Sequence, residues 1–184
     1  MCGDLAEFHA SIEAALDHRH QARIQRFQRL QSPFDVQQVD LSGLDLRNID
    51  FKGADLSGAN LFGAKLVGAN LSGANLSGAT LDAAWLMRAN FKGANLSGAS
   101  LFGPVVYPGL EVLPAEAPNF ENADLSGARI IARLSRVNMR GANLAGARMG
   151  VDMRNQPMGQ MRVDLSGADL AGANLAAADL NRAV

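Results

Sequence analysis

The chain has 184 residues, a formal net charge of −1 at pH 7, 48% hydrophobic residues and only 5% aromatic residues. That length suits one domain, the apolar content excludes a disordered chain, and the small net charge gives no sign of a nucleic-acid partner. The 19 glycines argue against one long helix, because Gly costs about 1 kcal/mol relative to Ala in a helix interior. We therefore expect an ordered protein whose core consists mainly of Leu and Ala.

The first part of the chain, residues 1–33, is predicted to be an amphipathic α-helix that ends at Pro33. Arginines in its second half suit a helix C-terminus. Two roles stay open: the helix caps the domain that follows, residues 34–184, or it docks onto a partner. The apolar residues at helical spacing are Leu5, Phe8, Ile12, Leu16, Ile24, Phe27 and Leu30.

Little in the sequence supports catalysis. Cys2 is the single cysteine, which excludes a disulfide framework or a Cys-rich metal site. No phosphate-binding loop, dinucleotide fingerprint or nucleophile elbow occurs, so we expect no enzyme, no cofactor and no bound metal. With no secretory leader and no apolar run of about 18 residues, we expect a cytoplasmic, bacterial protein without a membrane span.

From Val39 onward the sequence advances in steps of five. Each step carries Ala, then Asp or Asn, then Leu or Phe, then two further residues of which the second is usually Gly, as in residues 69–73. A period of five fits neither an α-helix nor a simple strand. The central residues of thirteen consecutive steps form the predicted core: Leu41, Leu46, Phe51, Leu56, Leu61, Leu66, Leu71, Leu76, Leu81, Leu86, Phe91, Leu96 and Leu101.

This unit resembles that of the pentapeptide-repeat family, and the resemblance covers about residues 39–184. It implies an all-β fold, a right-handed quadrilateral β-helix, which follows the N-terminal α-helix. Four repeats make one coil, the central residue and the Ala point inward, and the Asp or Asn faces out. Counting by fours places Leu41, Leu61, Leu81 and Leu101 on face one, Leu46, Leu66 and Leu86 on face two, Phe51, Leu71 and Phe91 on face three, and Leu56, Leu76 and Leu96 on face four.

Two segments interrupt the repeat. Residues 104–118 contain four prolines, which exclude a regular ladder, and we expect a loop that leaves the corner after face one. The repeat resumes at Phe120, shortens by one residue before Leu134, and breaks again at about 150–162. About six coils result. The chain stops four residues after Leu180, and since an uncovered coil can pair with a copy of itself, we expect a homodimer through the C-terminal coil.

Candidate partner-binding residues are the exceptions to the repeat. Outward apolar residues on faces one and two indicate a contact surface, although the loop 104–118 would cover part of it by folding back. Arginines crowd residues 128–163 while the first coil is acidic, which either favours an acidic protein partner or serves only solubility. The candidates are Phe62, Val67, Trp85, Met87, Phe102, Tyr107, Leu110, Arg133, Arg136 and Arg140.

Two functions fit these features. The first is a non-catalytic scaffold that presents a rigid rod to an unidentified protein partner. The second is implied by the resemblance, because some pentapeptide-repeat proteins protect DNA gyrase from quinolones or toxins by imitating duplex DNA. Such imitation requires a strongly negative surface, whereas residues 35–184 carry 14 acidic and 13 basic side chains. We therefore prefer the scaffold and keep gyrase protection as the alternative.

Overall fold

A computed structural model describes residues 38–107, 113–150 and 162–184. Within these ranges the regular elements are strand β1, Ser100–Phe102, a 3-10 helix, Pro114–Glu116, and strand β2, Arg129–Ile131. Strands β1 and β2 pair in parallel, with Leu101 opposite Ile130. The helix predicted for residues 1–33 lies outside the described residues.

Single parallel bridges hold the rest of the backbone in stacked coils. In the first coils each bridge joins residues one coil apart, as Asp40 with Asn60 and Asn60 with Thr80. Three more columns of bridges begin at Asp45, Asp50 and Asp55. The chain therefore returns to the same side after every fourth repeat, which confirms the assignment to four faces. Faces one to four are the columns that begin at Asp40, Asp45, Asp50 and Asp55, in that order.

The predicted core is confirmed. All thirteen central residues from Leu41 to Leu101 are at most 1% exposed. Leu44 and Ile49 take the position of the Ala in the first coil and are also buried. On face three the rings of Phe91 and Phe120 stack with their centroids 4.9 Å apart and their planes 6° apart, so aromatic residues pack on one another along a face.

Each repeat changes direction through a β-turn. The N–H of Ala54 donates to the carbonyl of Phe51 over 3.0 Å, and Gly53 between them has a φ of +68°, as a type II turn requires. The N–H of Gly53 donates to the carbonyl of Ser72 in the next coil over 3.0 Å. The corner is thus part of the ladder between coils. Gly is favoured there because L residues at positive φ cost about 1–2 kcal/mol.

The Asp or Asn of each repeat does more than face solvent, which is all that we expected of it. Asn70 is half-buried, and its Oδ1 accepts the N–H of Ser72 over 3.2 Å. Its Nδ2 donates to Asp50 Oδ1 of the preceding coil over 2.9 Å. The short polar side chain therefore closes its own turn and also links neighbouring coils.

The first interruption begins later than predicted. Val105 still pairs with Trp85 on face two, and Val106 is 3% exposed, so a loop that leaves after face one is wrong. Pro104 occupies the Ala position of its repeat. In other repeats the N–H of that Ala bonds only within its own turn, so a proline there removes no hydrogen bond between coils, and Val105 keeps its bonds to the preceding coil. The repeat resumes at Asn119, which pairs with Asn90.

The shortened repeat before Leu134 is confirmed. Arg129 pairs with Arg148, nineteen residues further on, and Leu134 is 2% exposed. Most of the second interruption, residues 151–161, lies outside the described residues. The face-one column has seven rungs, so the described part of the chain contains six coils and the start of a seventh: Asp40, Asn60, Thr80, Ser100, Arg129, Arg148 and Asp179.

Candidate functional site

Two aromatic side chains project from the stack. Phe62 is 55% exposed and Trp85 is 44% exposed. Phe62 follows the central residue Leu61 at the corner between faces one and two. Trp85 precedes Leu86 on face two, where it is bridged between Lys65 and Val105. Both side chains have the outward orientation that their repeat positions predict.

Three other apolar candidates follow the central residue on face two. Val67 is half-buried, while Met87 is 7% exposed and Tyr107 is 6% exposed. Met87, which its repeat position directs outward, is therefore enclosed, as the alternative of a loop that folds back over part of this surface allows. Tyr107 likewise offers almost no surface to a partner. Leu110 lies outside the described residues.

The end of the first interruption lies against the corner after face two. The N–H of Arg88 donates to the carbonyl of Glu116 over 2.8 Å, and Arg88 Nε lies 3.4 Å from Glu116 Oε2. Met87 is enclosed beside this contact, whereas Trp85 keeps its exposed surface. The loop therefore approaches the predicted patch without covering Trp85.

A buried polar chain joins three successive coils on face two. The hydroxyl of Tyr107 donates to the carbonyl of Ser135, and Ser135 Oγ donates to Asp164 Oδ2 over 2.7 Å. Burial raises the pKa of Tyr107, and the nearby Arg133 and Arg136 oppose that effect. Burial also acts to raise the pKa of Asp164, but the hydrogen bonds from Ser166 and Ser135 outweigh it and lower that pKa.

The Tyr107 hydroxyl is expected to stabilise the point where the chain leaves the coils. Tyr107→Phe removes the hydrogen bond and leaves the Ser135 carbonyl without this donor, so we expect the free energy of unfolding to fall by about 1–2 kcal/mol. Urea denaturation monitored by circular dichroism measures it. Ser135→Ala, which keeps the carbonyl and removes only the bond to Asp164, is the matched variant. An unchanged midpoint in Tyr107→Phe would contradict this role.

The arginines are spread over several faces. Arg140 Nη1 lies 3.0 Å from Asp169 Oδ2 on face three. The Ala171 N–H and then Arg140 hold the pKa of Asp169 below its ordinary value. Arg133 pairs with Asp164 on face two, and the exposed Arg136 occupies the adjoining turn with a φ of 59°. The three arginine candidates therefore do not form one continuous patch.

Face one carries a basic pair that sequence reasoning missed. Arg129 and Arg148 are bridged neighbours in that column, and both are exposed. The Arg129 Cζ lies 4.7 Å from the centroid of the half-buried Phe102 ring. Counting repeats from Ile130 through the shortened repeat to Met149 would have aligned the two arginines, since each one precedes a central residue of face one.

The described ranges contain no cluster of three or more His, Cys, Asp or Glu side chains that could hold a metal ion. Nor does any helix in those same ranges have the length and hydrophobicity needed to cross a bilayer. The exposed side chains just described include Phe62 at the corner after face one, Trp85 on face two, and Arg129 and Arg148 on face one.

A family model named Pentapeptide repeats matches in eight copies, over residues 35–66, 54–93, 64–103 and 161–184. The chain belongs to the pentapeptide repeat family. Proteins of this family fold as right-handed quadrilateral β-helices and are generally non-enzymatic structural or interaction proteins. The stacked coils and four columns of bridges in this pentapeptide repeat protein agree with that architecture.

Several solved structures resemble this pentapeptide repeat protein. A pentapeptide repeat protein from the Arabidopsis thaliana thylakoid lumen is 32% identical, with 66% of this chain and 68% of that chain covered and a TM-score of 0.36. HetL from the cyanobacterium Nostoc, involved in heterocyst differentiation regulation, is 25% identical, with coverage of 87% and 92% and a TM-score of 0.37. QnrB1, a plasmid-mediated fluoroquinolone resistance protein, is 20% identical, with coverage of 79% and 84% and a TM-score of 0.32. A search of curated protein sequences found no match.

Proposed function

We propose that this pentapeptide repeat protein is a right-handed quadrilateral β-helix that serves as a non-catalytic scaffold for a protein partner. The observation that carries the proposal is the exposure of Phe62 and Trp85, at 55% and 44%. Several other repeats carry Ser at the position of Phe62, and Asp or Asn is the commonest residue at the position of Trp85. Large aromatic side chains are enriched at the centres of protein interfaces, so this corner is the proposed contact surface.

The backbone under both aromatic residues is held by hydrogen bonds. The carbonyl of Phe62 accepts the N–H of Gly43 over 2.8 Å, and its own N–H donates to Asn60 Oδ1 over 3.1 Å. The N–H of Trp85 donates to the carbonyl of Ala64 over 2.9 Å. Because binding a preorganised surface loses little conformational entropy, these two side chains suit recognition of a partner.

Substitutions borrowed from the repeat itself test this surface. Phe62→Ser and Trp85→Asn install residues that the same positions carry elsewhere in the chain, so the free energy of unfolding should change by only about 0.5 kcal/mol. We expect the double variant to capture about one tenth of the amount of partner protein that the wild type captures. Quantitative cross-linking and mass spectrometry measure that amount. Lys92→Ser on face three is the control, and equal capture by all variants would refute the proposal.

Protection of DNA gyrase is the alternative hypothesis. The exposed Arg129 and Arg148 argue against it, because a DNA-binding surface of gyrase is built for negative phosphates and repels positive charge. We expect the purified protein to leave the inhibition of supercoiling by a fluoroquinolone unchanged. Restored supercoiling in that assay would favour the alternative over the scaffold.

We also propose that the sixth coil mediates homodimer formation. Leu170 and Leu175 are half-buried there and Leu180 is 40% exposed, whereas Leu76 in the second coil is 0% exposed. The Leu76 N–H donates to the carbonyl of Asn95 over 2.6 Å, but among the described residues the N–H groups of Leu170 and Leu175 have no acceptor. A second copy would supply both an apolar cover and the missing acceptors.

The location of the protein and the role of its first residues stay predictions. The lone Cys2 agrees with a reducing compartment, so we propose the cytoplasm. Removal of residues 1–33 tests the predicted helix. Unfolding of the coils would identify the helix as a cap, whereas folded coils that lose the partner would identify it as a docking element.

A further inference from the structure

We propose that Arg129 and Arg148 form a two-arginine clamp that binds the carboxylates of an acidic segment in the partner protein. The inference rests on the proposed scaffold function and specifies the chemistry of its partner. The two residues are joined by a parallel bridge on face one, so their backbones lie about 4.8 Å apart. Both side chains are exposed, and both project from the same column of the stack.

Unlike five other basic side chains of the described ranges, the two arginines of the clamp have no ion-pair partner there. Within the described ranges no carboxylate forms an ion pair with Arg129 or Arg148. Asp179 lies on the next rung of the column, where its Oδ1 accepts the N–H of Asn181 over 2.9 Å, and it forms no ion pair with Arg148 among the described residues. Among the described residues, ion pairs join Arg47 to Asp45 at 2.6 Å, Lys65 to Asp45 at 3.9 Å, Arg88 to Glu116 at 3.4 Å, Lys92 to Glu121 at 3.1 Å, and Arg140 to Asp169 at 3.0 Å.

Two like charges on adjacent strands repel each other. An anion bound between the two guanidinium groups would remove that repulsion and add charge-assisted hydrogen bonds. A carboxylate suits this role, because the planar guanidinium presents N–H groups that match its two oxygens. Two adjacent arginines without an ion pair among the described residues therefore suit an acidic ligand.

Phe102 orients one half of the clamp. The Arg129 Cζ lies 4.7 Å from the Phe102 ring centroid, and a guanidinium over a ring is attracted to its face. Phe102 is itself held, because its N–H donates to Asp82 Oδ1 over 2.8 Å and its strand β1 pairs with β2. The contact therefore partly orders Arg129 before a ligand arrives.

The surroundings favour a peptide over a nucleic acid. The residues that turn the chain into face one on these two rungs are small: Ser126, Gly127, Ala145 and Gly146. On this side of the column no large side chain stands between a peptide backbone and the arginines. Single-stranded nucleic acid binds through exposed aromatic platforms and several phosphate contacts, whereas the Phe102 ring beside the clamp already contacts Arg129 and the clamp holds two charges.

Hexaglutamate is the probe for this clamp. Isothermal titration calorimetry at low salt should show that it binds the full-length wild-type protein and that added salt weakens the binding. The double variant Arg129→Gln/Arg148→Gln should bind about tenfold more weakly or worse. Arg47→Gln makes the same change of charge per residue at an exposed, ion-paired position of the first coil, and should change the affinity less than about twofold. Thermal unfolding of each variant shows whether the coils are intact.

Three outcomes would overturn the clamp. In the first, the wild-type protein does not bind hexaglutamate. In the second, Arg47→Gln weakens hexaglutamate binding as much as the double variant does. In the third, a hexathymidylate oligonucleotide binds more tightly than hexaglutamate and its binding depends on the same two arginines. The scaffold proposal is tested separately: it fails if the variants at Phe62 and Trp85 capture as much partner protein as the wild type does. If the double variant proves unstable, Arg148→Gln alone decides the question, because Phe102 contacts only Arg129 of the pair.

Discussion

Phe91→Ala is expected to lower the free energy of unfolding by about 3–5 kcal/mol, the usual range for removing a fully buried Phe. Phe91 is 0% exposed, and its ring stacks on that of Phe120 at 4.9 Å. The coils above and below are tied to it by backbone hydrogen bonds, so the walls cannot collapse into the space that the ring leaves. Urea denaturation of the two proteins measures the difference.

Phe62→Ala is the matched control, because it removes the same atoms from a side chain that is 55% exposed. We expect it to change the free energy of unfolding by about 0.5 kcal/mol at most. A double-mutant cycle with Phe120→Ala should give a coupling of about 0.5–1.5 kcal/mol for the ring pair. Equal losses in Phe91→Ala and Phe62→Ala would contradict the arrangement of the core.

The core was predictable because it depends on local sequence alone. A five-residue repeat places a side chain such as Leu76 inward wherever the chain turns a corner every five residues. Counting repeats by fours then placed Phe51 and Phe91 on one face. The shortened repeat before Leu134 was also readable, since it changes the spacing of central residues and nothing else.

Other features depend on contacts between distant repeats and could not be predicted in this way. The enclosure of Tyr107 arises because its hydroxyl meets the carbonyl of Ser135, which lies 28 residues further on. The start of the first interruption depends on which N–H groups of a repeat form hydrogen bonds to a neighbouring coil. The N–H that Pro104 lacks is not one of them, so the ladder of hydrogen bonds continues past it.

The exposure of the candidate contact residues also depends on whether they lie in a regular repeat or next to an insertion. Positions that the repeat directs outward, Phe62 and Trp85, are exposed, and their backbone keeps the regular bridges and hydrogen bonds of the repeat. Met87 stands at an equally outward position, yet the corner next to it receives Glu116 from the returning loop. Exposure in a repeat protein is thus predictable for the repeat and not for residues beside an insertion.

Leu175→Arg is expected to abolish self-association through the sixth coil. Leu175 is half-buried on an edge whose N–H groups lack acceptors among the described residues, so in the proposed homodimer its side chain becomes fully enclosed. An unpaired charge buried there costs about 3 kcal/mol or more, which weakens the dimer at least about 100-fold. Sedimentation velocity over a range of protein concentrations should show a dimer for the wild type and a monomer for the variant.

Ala176→Arg is the control that distinguishes the effect of burying a charge in the interface from the effect of adding a charge to the surface. Ala176 adjoins Leu175 but is exposed, so its arginine reaches solvent in the monomer and at the rim of a dimer, where charges have small effects. We expect this control to stay dimeric and both variants to keep the wild-type circular dichroism spectrum. A monomeric wild type at micromolar concentration, or equal dissociation of both variants, would mean that the apolar edge of the sixth coil does not hold two copies together.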